Sequence, residues 1–289
     1  MAVEGDDAFM FLQGQFTNEL RQALGAVVYG LWLNQKGKVL ADSHIIRRSE
    51  NRFVIFSPSS AAMIIKQRLE EYIVADDVDL VDQTDRNHGL AIWGDGVGER
   101  VKDMWGAVPV RGQFLAKEGG FVFAGRRVRG ENYEIIGSEN RIAEWRDELR
   151  RLDCSEIGAN EAEFARLEDG IPAIPQDIGP GDLPNEGELE ISAVSFTKGC
   201  YLGQEVMARL KNMGQVRRHL RVVQGRGPAP NPGALLYQGG KKAGEIRSVA
   251  SSGEGYIAMA MLTRLGFNDS AGFGLAVEGP DALKIYSNG

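Results

Sequence analysis

Ser195-Phe196-Thr197-Lys198-Gly199-Cys200-Tyr201-Leu202-Gly203-Gln204-Glu205 is the least ordinary stretch of this sequence. Two glycines flank a Cys-Tyr pair, so the backbone can turn tightly and present the thiol. Residues 204–212 have helical character, which puts Cys200 just ahead of a helix N-terminus. That positive helix end and the nearby Lys198 would both favour a thiolate. The same residues fit a small, buried packing cysteine equally well. Spacing alone leaves both readings open.

Downstream, from Gln215 onward, the pattern becomes short β runs: RHLRVV, ALLY, AGEIRSVA, YIAMAML and ALKIY. Gly and Asn-Pro punctuation separates them, as in a small β-barrel or sandwich. Upstream, residues 170–188 carry Pro172, Pro175, Pro180 and Pro184 and show no periodicity. So long an irregular connection is functional or disordered more often than not. Residues 161–168 read as a helix stopped by Gly170 and Pro172. Residues 141–152 read as another, with Ile142, Trp145, Leu149 and Leu152 on one face.

The N-terminal part alternates short strands and helices. Residues 27–33 and 39–46 form a predicted hairpin around Asn34-Gln35-Lys36-Gly37-Lys38. A strand at 53–56 follows, then Ser57 as N-cap with Pro58 at the first helical position. The helix is expected over 61–73, with Ile65, Leu69, Tyr72 and Ile73 inward, and a strand over 78–81. Strands are also expected at 90–93, 121–123 and 133–136. Gly94-Asp95-Gly96-Val97-Gly98 lacks dinucleotide spacing and reads as a plain tight turn. The class is α+β, with the β-only region last.

Composition sets the outer limits. The chain has 289 residues, enough for two domains or three small ones. It is 43% hydrophobic and 25% charged, which excludes a disordered, collagenous or coiled-coil chain. Thirty-three basic against 40 acidic residues give a net charge of −7, disfavouring wholesale phosphate binding. Residues 198–226 reverse that balance: Lys198, Arg209, Lys211, Arg217, Arg218, Arg221 and Arg226 oppose Glu205 alone. Such a patch suits an anionic partner or a solvated strand pair. Aromatic residues are not interleaved with it, so nucleic acid is disfavoured. Two cysteines, Cys154 and Cys200, and three scattered histidines offer no zinc site and too few thiolates for a cluster within one chain. No apolar run approaches the ~18 residues of a membrane span. The acidic start lacks the marks of a signal peptide. A reducing cytoplasm, with both thiols free, is the expectation.

Lys198-Gly199-Cys200-Tyr201-Leu202-Gly203-Gln204-Glu205 resembles the KGCYxGQE signature of YgfZ-type folate-binding proteins. These belong to the superfamily of the glycine-cleavage T-protein, a tetrahydrofolate-dependent aminomethyltransferase. The likeness extends over nearly the whole chain. Residues 8–19 (AFMFLQGQFTNE) resemble the family's "DA-x-x-FLQGQ-x-TND" opening, and 129–135 (RGENYEI) its "TGE-x-GFEI" strand. Residues 165–172 (ARLEDGIP) are similar to "RLEAG" and "GIP", and 243–248 (AGEIRS) to "VGEVTS". The resemblance implies two intertwined α+β subdomains over 1–214 and a β-barrel over 215–289, arranged around a central folate cleft.

It also implies roles. The T-protein hairpin carries paired aspartates, of which the first is its catalytic acid. Here that position is Ala41, while Asp42 remains on the opposite face of the strand. Aminomethyl transfer is therefore disfavoured. Glu168 is expected to accept paired N–H donors of a pterin ring. Tyr133 and Trp32 are candidate stacking surfaces, though strand aromatics also fit the core. Tyr201, Gln204, Glu205 and Arg209 join Asp42 as expected folate-side residues, and Cys200 with Lys198 as the reactive pair. No metal site is expected. The cofactor implied is tetrahydrofolate or a one-carbon derivative, and the partners are iron–sulfur client or assembly proteins. The function implied is an accessory role in iron–sulfur cluster assembly or repair. A true one-carbon transferase and a non-catalytic RNA- or protein-binding module are the competing readings.

Overall fold

A computed structural model describes residues 1–213, 216–264, 268 and 270–286. The boundary expected at 214/215 lies outside the described residues. The chain divides into two compact units, Met1–Glu156 with Glu190–Gln204, and Ile157–Leu189 with Glu205–Gly289.

The first unit holds two antiparallel sheets. One runs in the order Val27–Leu33, Val39–Arg47, Arg52–Phe56, Ala2–Glu4, Asp79–Val81. The other runs His88–Trp93, Asn132–Gly137, Gly120–Ala124, Phe114–Lys117. The hairpin forms where its turn residues dictate. The Asn34 side-chain oxygen accepts the Lys36 and Lys38 amides, and Gly37 takes a φ of +69°. Its register sets Leu31 opposite Asp42 and Trp32 opposite Ala41. One face carries Trp32, Ala41 and Ile45 into a core with Phe16, Leu12 and Leu69. On the other, Val27 and Ile46 share an apolar layer with Phe121, Phe123 and Ile136 of the second sheet. Helix Glu139–Arg151 buries Ile142, Trp145 and Leu149 as its spacing predicts.

One local expectation is corrected. The helix spans Ala62–Glu70 rather than 61–73, and Ala61, without a side-chain cap, precedes it. Ser57 does not cap it, because its hydroxyl donates to the Asp42 carbonyl at 2.8 Å. Strand Ala2–Glu4 and helix Ala8–Gln15 lie ahead of the first element anticipated from periodicity.

The second unit is built on a closed six-stranded barrel: Arg218–Arg226, Gly255–Thr263, Lys241–Ser252, Leu235–Gln238, Phe273–Gly274 and Asp281–Ile285. Alternation explains why YIAMAML is apolar throughout. Tyr256, Ala258, Ala260 and Leu262 fill one cluster, whereas Ile257 and Met259 pack in another with Leu167 and Phe164 of helix Ala159–Glu168. The proline-rich segment is ordered, with Ile174, Ile178 and Leu189 fully buried. Two buried ionic groups hold it to the barrel. Asp177 accepts from Arg166 at 2.7 Å and from the Ser248 hydroxyl. Asp182 and Glu186 receive Arg218 at 2.8 and 2.9 Å, and Arg247 reaches Asp182 at 3.2 Å. Buried carboxylates are tolerated only when paired in this way. The RLE and GEIRS motifs thus meet at Asp177.

Candidate functional site

The FLQGQFTNE and FTKGCYLG segments are stitched together inside the first unit. Phe16, after the end of helix Ala8–Gln15, starts a turn that leaves backbone carbonyls without helical partners. Lys198 supplies them: its ammonium donates to the carbonyls of Gln13 at 2.8 Å, Phe16 at 2.6 Å and Asn18 at 3.0 Å. The Thr17 hydroxyl donates to the Ala193 carbonyl at 2.7 Å and accepts the Leu31 amide at 2.8 Å. The Ser195 amide donates to the Thr17 carbonyl, and the Leu202 amide to that of Gly14. Gly203, at φ +87°, sits where a Cβ would lie 3.0 Å from the Asn34 carbonyl oxygen, so only glycine fits against the hairpin turn.

The loop between these anchors presents Cys200. The thiol residue is exposed, whereas Lys198 and Tyr201 beside it are buried. Burial pulls the Lys198 ammonium down to about 8, opposed by the Glu19 carboxylate. Its donors are aimed at backbone carbonyls, so the residue serves as a strut for the loop. The Tyr201 ring lies 5.2 Å from the ammonium, and burial pushes its phenol up to about 12. Among the described residues, that buried hydroxyl has no hydrogen-bond partner. Such an unpaired group is costly and fits a site built to receive a polar ligand atom. Gln204 reaches the Lys198 carbonyl at 3.5 Å. Glu205 and Arg209 are exposed on helix Gln204–Met213, which continues into the second unit.

Asp42 lies on a buried polar chain that the sequence did not announce. It accepts from the Tyr29 hydroxyl and the Ser60 hydroxyl, each at 3.0 Å, and Arg126 donates to Tyr29 at 3.1 Å. The Arg126 guanidinium also stacks 4.4 Å from the Tyr29 ring centre. Burial raises the Asp42 carboxyl, against the Ser60 and Tyr29 hydrogen bonds and the Arg126 charge. Burial and Asp42 hold the Tyr29 phenol well above its usual range, so it remains a neutral donor. His44, two residues along the same strand face, packs against Tyr29 and Phe123 and is pulled down to about 3, chiefly by burial. Ala41 points the other way into the apolar core.

The remaining candidates divide by unit. Tyr133 is buried among Val97, Val122 and Trp145, and Trp32 is fully buried with its indole N–H on Ser43 at 2.7 Å. Both are core aromatics. Glu168 belongs to the second unit, exposed at the end of its helix, where the Tyr286 hydroxyl donates to one carboxylate oxygen at 2.8 Å. Within the basic span, Arg218 is bound to Asp182 and Glu186, and Arg221 lies 3.6 Å from Glu188. Two of its seven basic groups are thus answered by carboxylates of the same unit. Tyr29, Ser60 and Arg126 are site residues that no sequence motif marks.

Comparisons with known proteins agree with this architecture. Residues 1–106 match the GCVT N-terminal domain family. The mitochondrial iron-sulfur cluster assembly factor IBA57 of Mus musculus is 28% identical over 288 residues, covering 90% of this chain and 74% of that protein. The tRNA-modifying protein YgfZ of Colwellia psychrerythraea is 24% identical over 222 residues, covering 76% of this chain and 67% of that protein. The glycine cleavage system aminomethyltransferase T of Bartonella henselae superposes with a TM-score of 0.84 at 20% identity, covering 99% of this chain and 82% of that one. At such identity the likeness is one of fold. Among the described residues, no helix is long and apolar enough to cross a membrane.

Proposed function

The chain belongs to the glycine-cleavage T-protein superfamily, on its YgfZ-type branch, and from that premise we propose that it is a tetrahydrofolate-binding accessory protein for iron–sulfur cluster assembly or repair. The observation that carries the reading is the exposed Cys200 on a loop pinned on both sides by Lys198 and Gly203. A rigidly held, accessible thiol suits transient contact with a cluster or client, and a single thiol needs a second chain to hold one. The relatives named as cluster assembly factors support the same role.

The residues present fit a folate. Glu168 places a carboxylate on an exposed helix end, where the Tyr286 hydroxyl donates to one oxygen, and a carboxylate there suits the paired donors of a pterin. Tetrahydrofolate, when bound, supplies a carrier for one-carbon units. Ala41, facing Phe16 and Trp32, offers no acid for aminomethyl transfer. Both cysteines are unpaired, which suits a reducing compartment, and we assign the cytoplasm. Titration with reduced folates tests the binding claim, and cluster-enzyme activity in a deletion strain tests the role. No saturable folate binding, or normal cluster enzymes in the deletion strain, would overturn the respective claim.

A further inference from the structure

A cavity of about 610 Å³ opens within the first unit, away from the Cys200 loop in sequence and lining. It lies between strand Arg52–Phe56 and helix Ala62–Glu70 on one side, and the second sheet on the other. Its size falls in the range of about 300–1,000 Å³ that small-molecule sites occupy. Val54, Phe56, Ile65, Phe121 and Ile136 give it apolar walls. Among the described residues, no Asp or Glu lines it, in a chain carrying 40 of them.

The cation at its rim is Arg48. Its guanidinium carbon sits 5.1 Å from the Phe114 ring centre and 5.4 Å from that of Phe121, itself a wall residue. Among the described residues it makes these ring contacts and no ion pair. Lys117, also on the lining, spends its ammonium on the Met104 carbonyl at 2.7 Å. A guanidinium braced by two rings has lost much of its rotamer freedom before any ligand arrives. Its planar fork matches a carboxylate bidentately.

We propose that this cavity binds a small amphipathic carboxylate, with its apolar body between the two sheets and its charge on Arg48. The site is distinct from the proposed folate residues: Glu168 and Tyr201 do not line it, and Asp42 reaches it through the Ser57 and Ser60 hydroxyls. The inference therefore stands or falls independently of folate binding.

The test titrates 2-naphthoate into the full chain and follows it by calorimetry and amide NMR. Saturable binding is expected, with shifts at Gly89, Gly120 and Phe121. Arg48→Gln should weaken it by about tenfold, with an unchanged melting temperature because Arg48 is exposed. The neutral 2-naphthamide should bind the unmodified chain about tenfold more weakly, and Arg48→Gln should not affect it. Saturating reduced folate should leave naphthoate affinity unchanged. Equal binding of acid and amide, an unchanged Arg48→Gln affinity, shifts confined elsewhere, absence of saturation, or displacement by folate would each overturn the proposal.

Discussion

Lys198→Met keeps the side chain's length and apolar stem and removes its charge and donors. Three backbone carbonyls, those of Gln13, Phe16 and Asn18, then lose their ammonium partner. Leaving a buried acceptor unpaired costs about 1–3 kcal/mol, so the gross loss is roughly 3–9 kcal/mol. Against this stands relief from burying an ammonium. Its fall from 10.5 to about 8 puts that relief at roughly 3 kcal/mol. Taken at the middle of the gross range, the net destabilisation is about 3 kcal/mol. For a unit of this size that lowers the melting temperature by roughly 5–15 °C. Urea titration measures the first quantity, calorimetry the second. Amide exchange should locate the damage at residues 13–18 and 195–203. Lys198→Arg should rescue little, because a planar fork cannot aim at three converging carbonyls. If Lys198 instead activated the thiol, Lys198→Met would keep its stability and slow Cys200 alkylation. A loss below about 0.5 kcal/mol would refute the strut.

The other expectations are briefer. His44 has a folded pKa of about 3 against an ordinary 6.5, so the unfolded chain binds its proton first as pH falls. Its contribution is fully present above pH 6.5 and is lost towards pH 3, at about 1.4 kcal/mol per unit. His44→Phe should flatten that slope in denaturation curves, and an unaltered slope would contradict the assignment. Glu168→Ala should weaken reduced-folate binding by about 1–3 kcal/mol in calorimetry, and unchanged affinity would remove Glu168 from the site. In a reconstituted glycine-cleavage assay with this chain as the only T-component, background rates are expected because of Ala41, and robust turnover would overturn that reading.

What could be read in advance tracks how local its cause is. The hairpin at 27–46 was legible because Asn34 and Gly37 set the turn within four residues of one another. The barrel was legible from alternating runs and their punctuation. The segment 170–188 was not, because what orders it is ionic pairing of Asp177, Asp182 and Glu186 with Arg166, Arg218 and Arg247, which are distant in sequence. Helix Ala8–Gln15 shows almost no polar face, so periodicity had nothing to register. The Cys200 loop was legible as a motif, but the work of Lys198 was not. Its partners are backbone carbonyls on another segment, and a backbone acceptor leaves no mark in a sequence. Asp42 was legible as a retained carboxylate, yet Tyr29 and Ser60, which bind it, and Arg126, which binds Tyr29, come from three separate stretches of the chain.

The account rests on the exposed thiol, so Cys200→Ser tests it most directly. The substitution replaces one exposed sulfur by oxygen in a loop whose anchors are all elsewhere, so melting temperature and reduced-folate affinity should not change. Expressed in a deletion strain, the variant should fail to restore the activity of cluster-dependent enzymes that the unmodified chain restores. Full restoration by a stable, folate-binding Cys200→Ser protein would contradict a chemical role for the thiol and leave the loop a purely structural element.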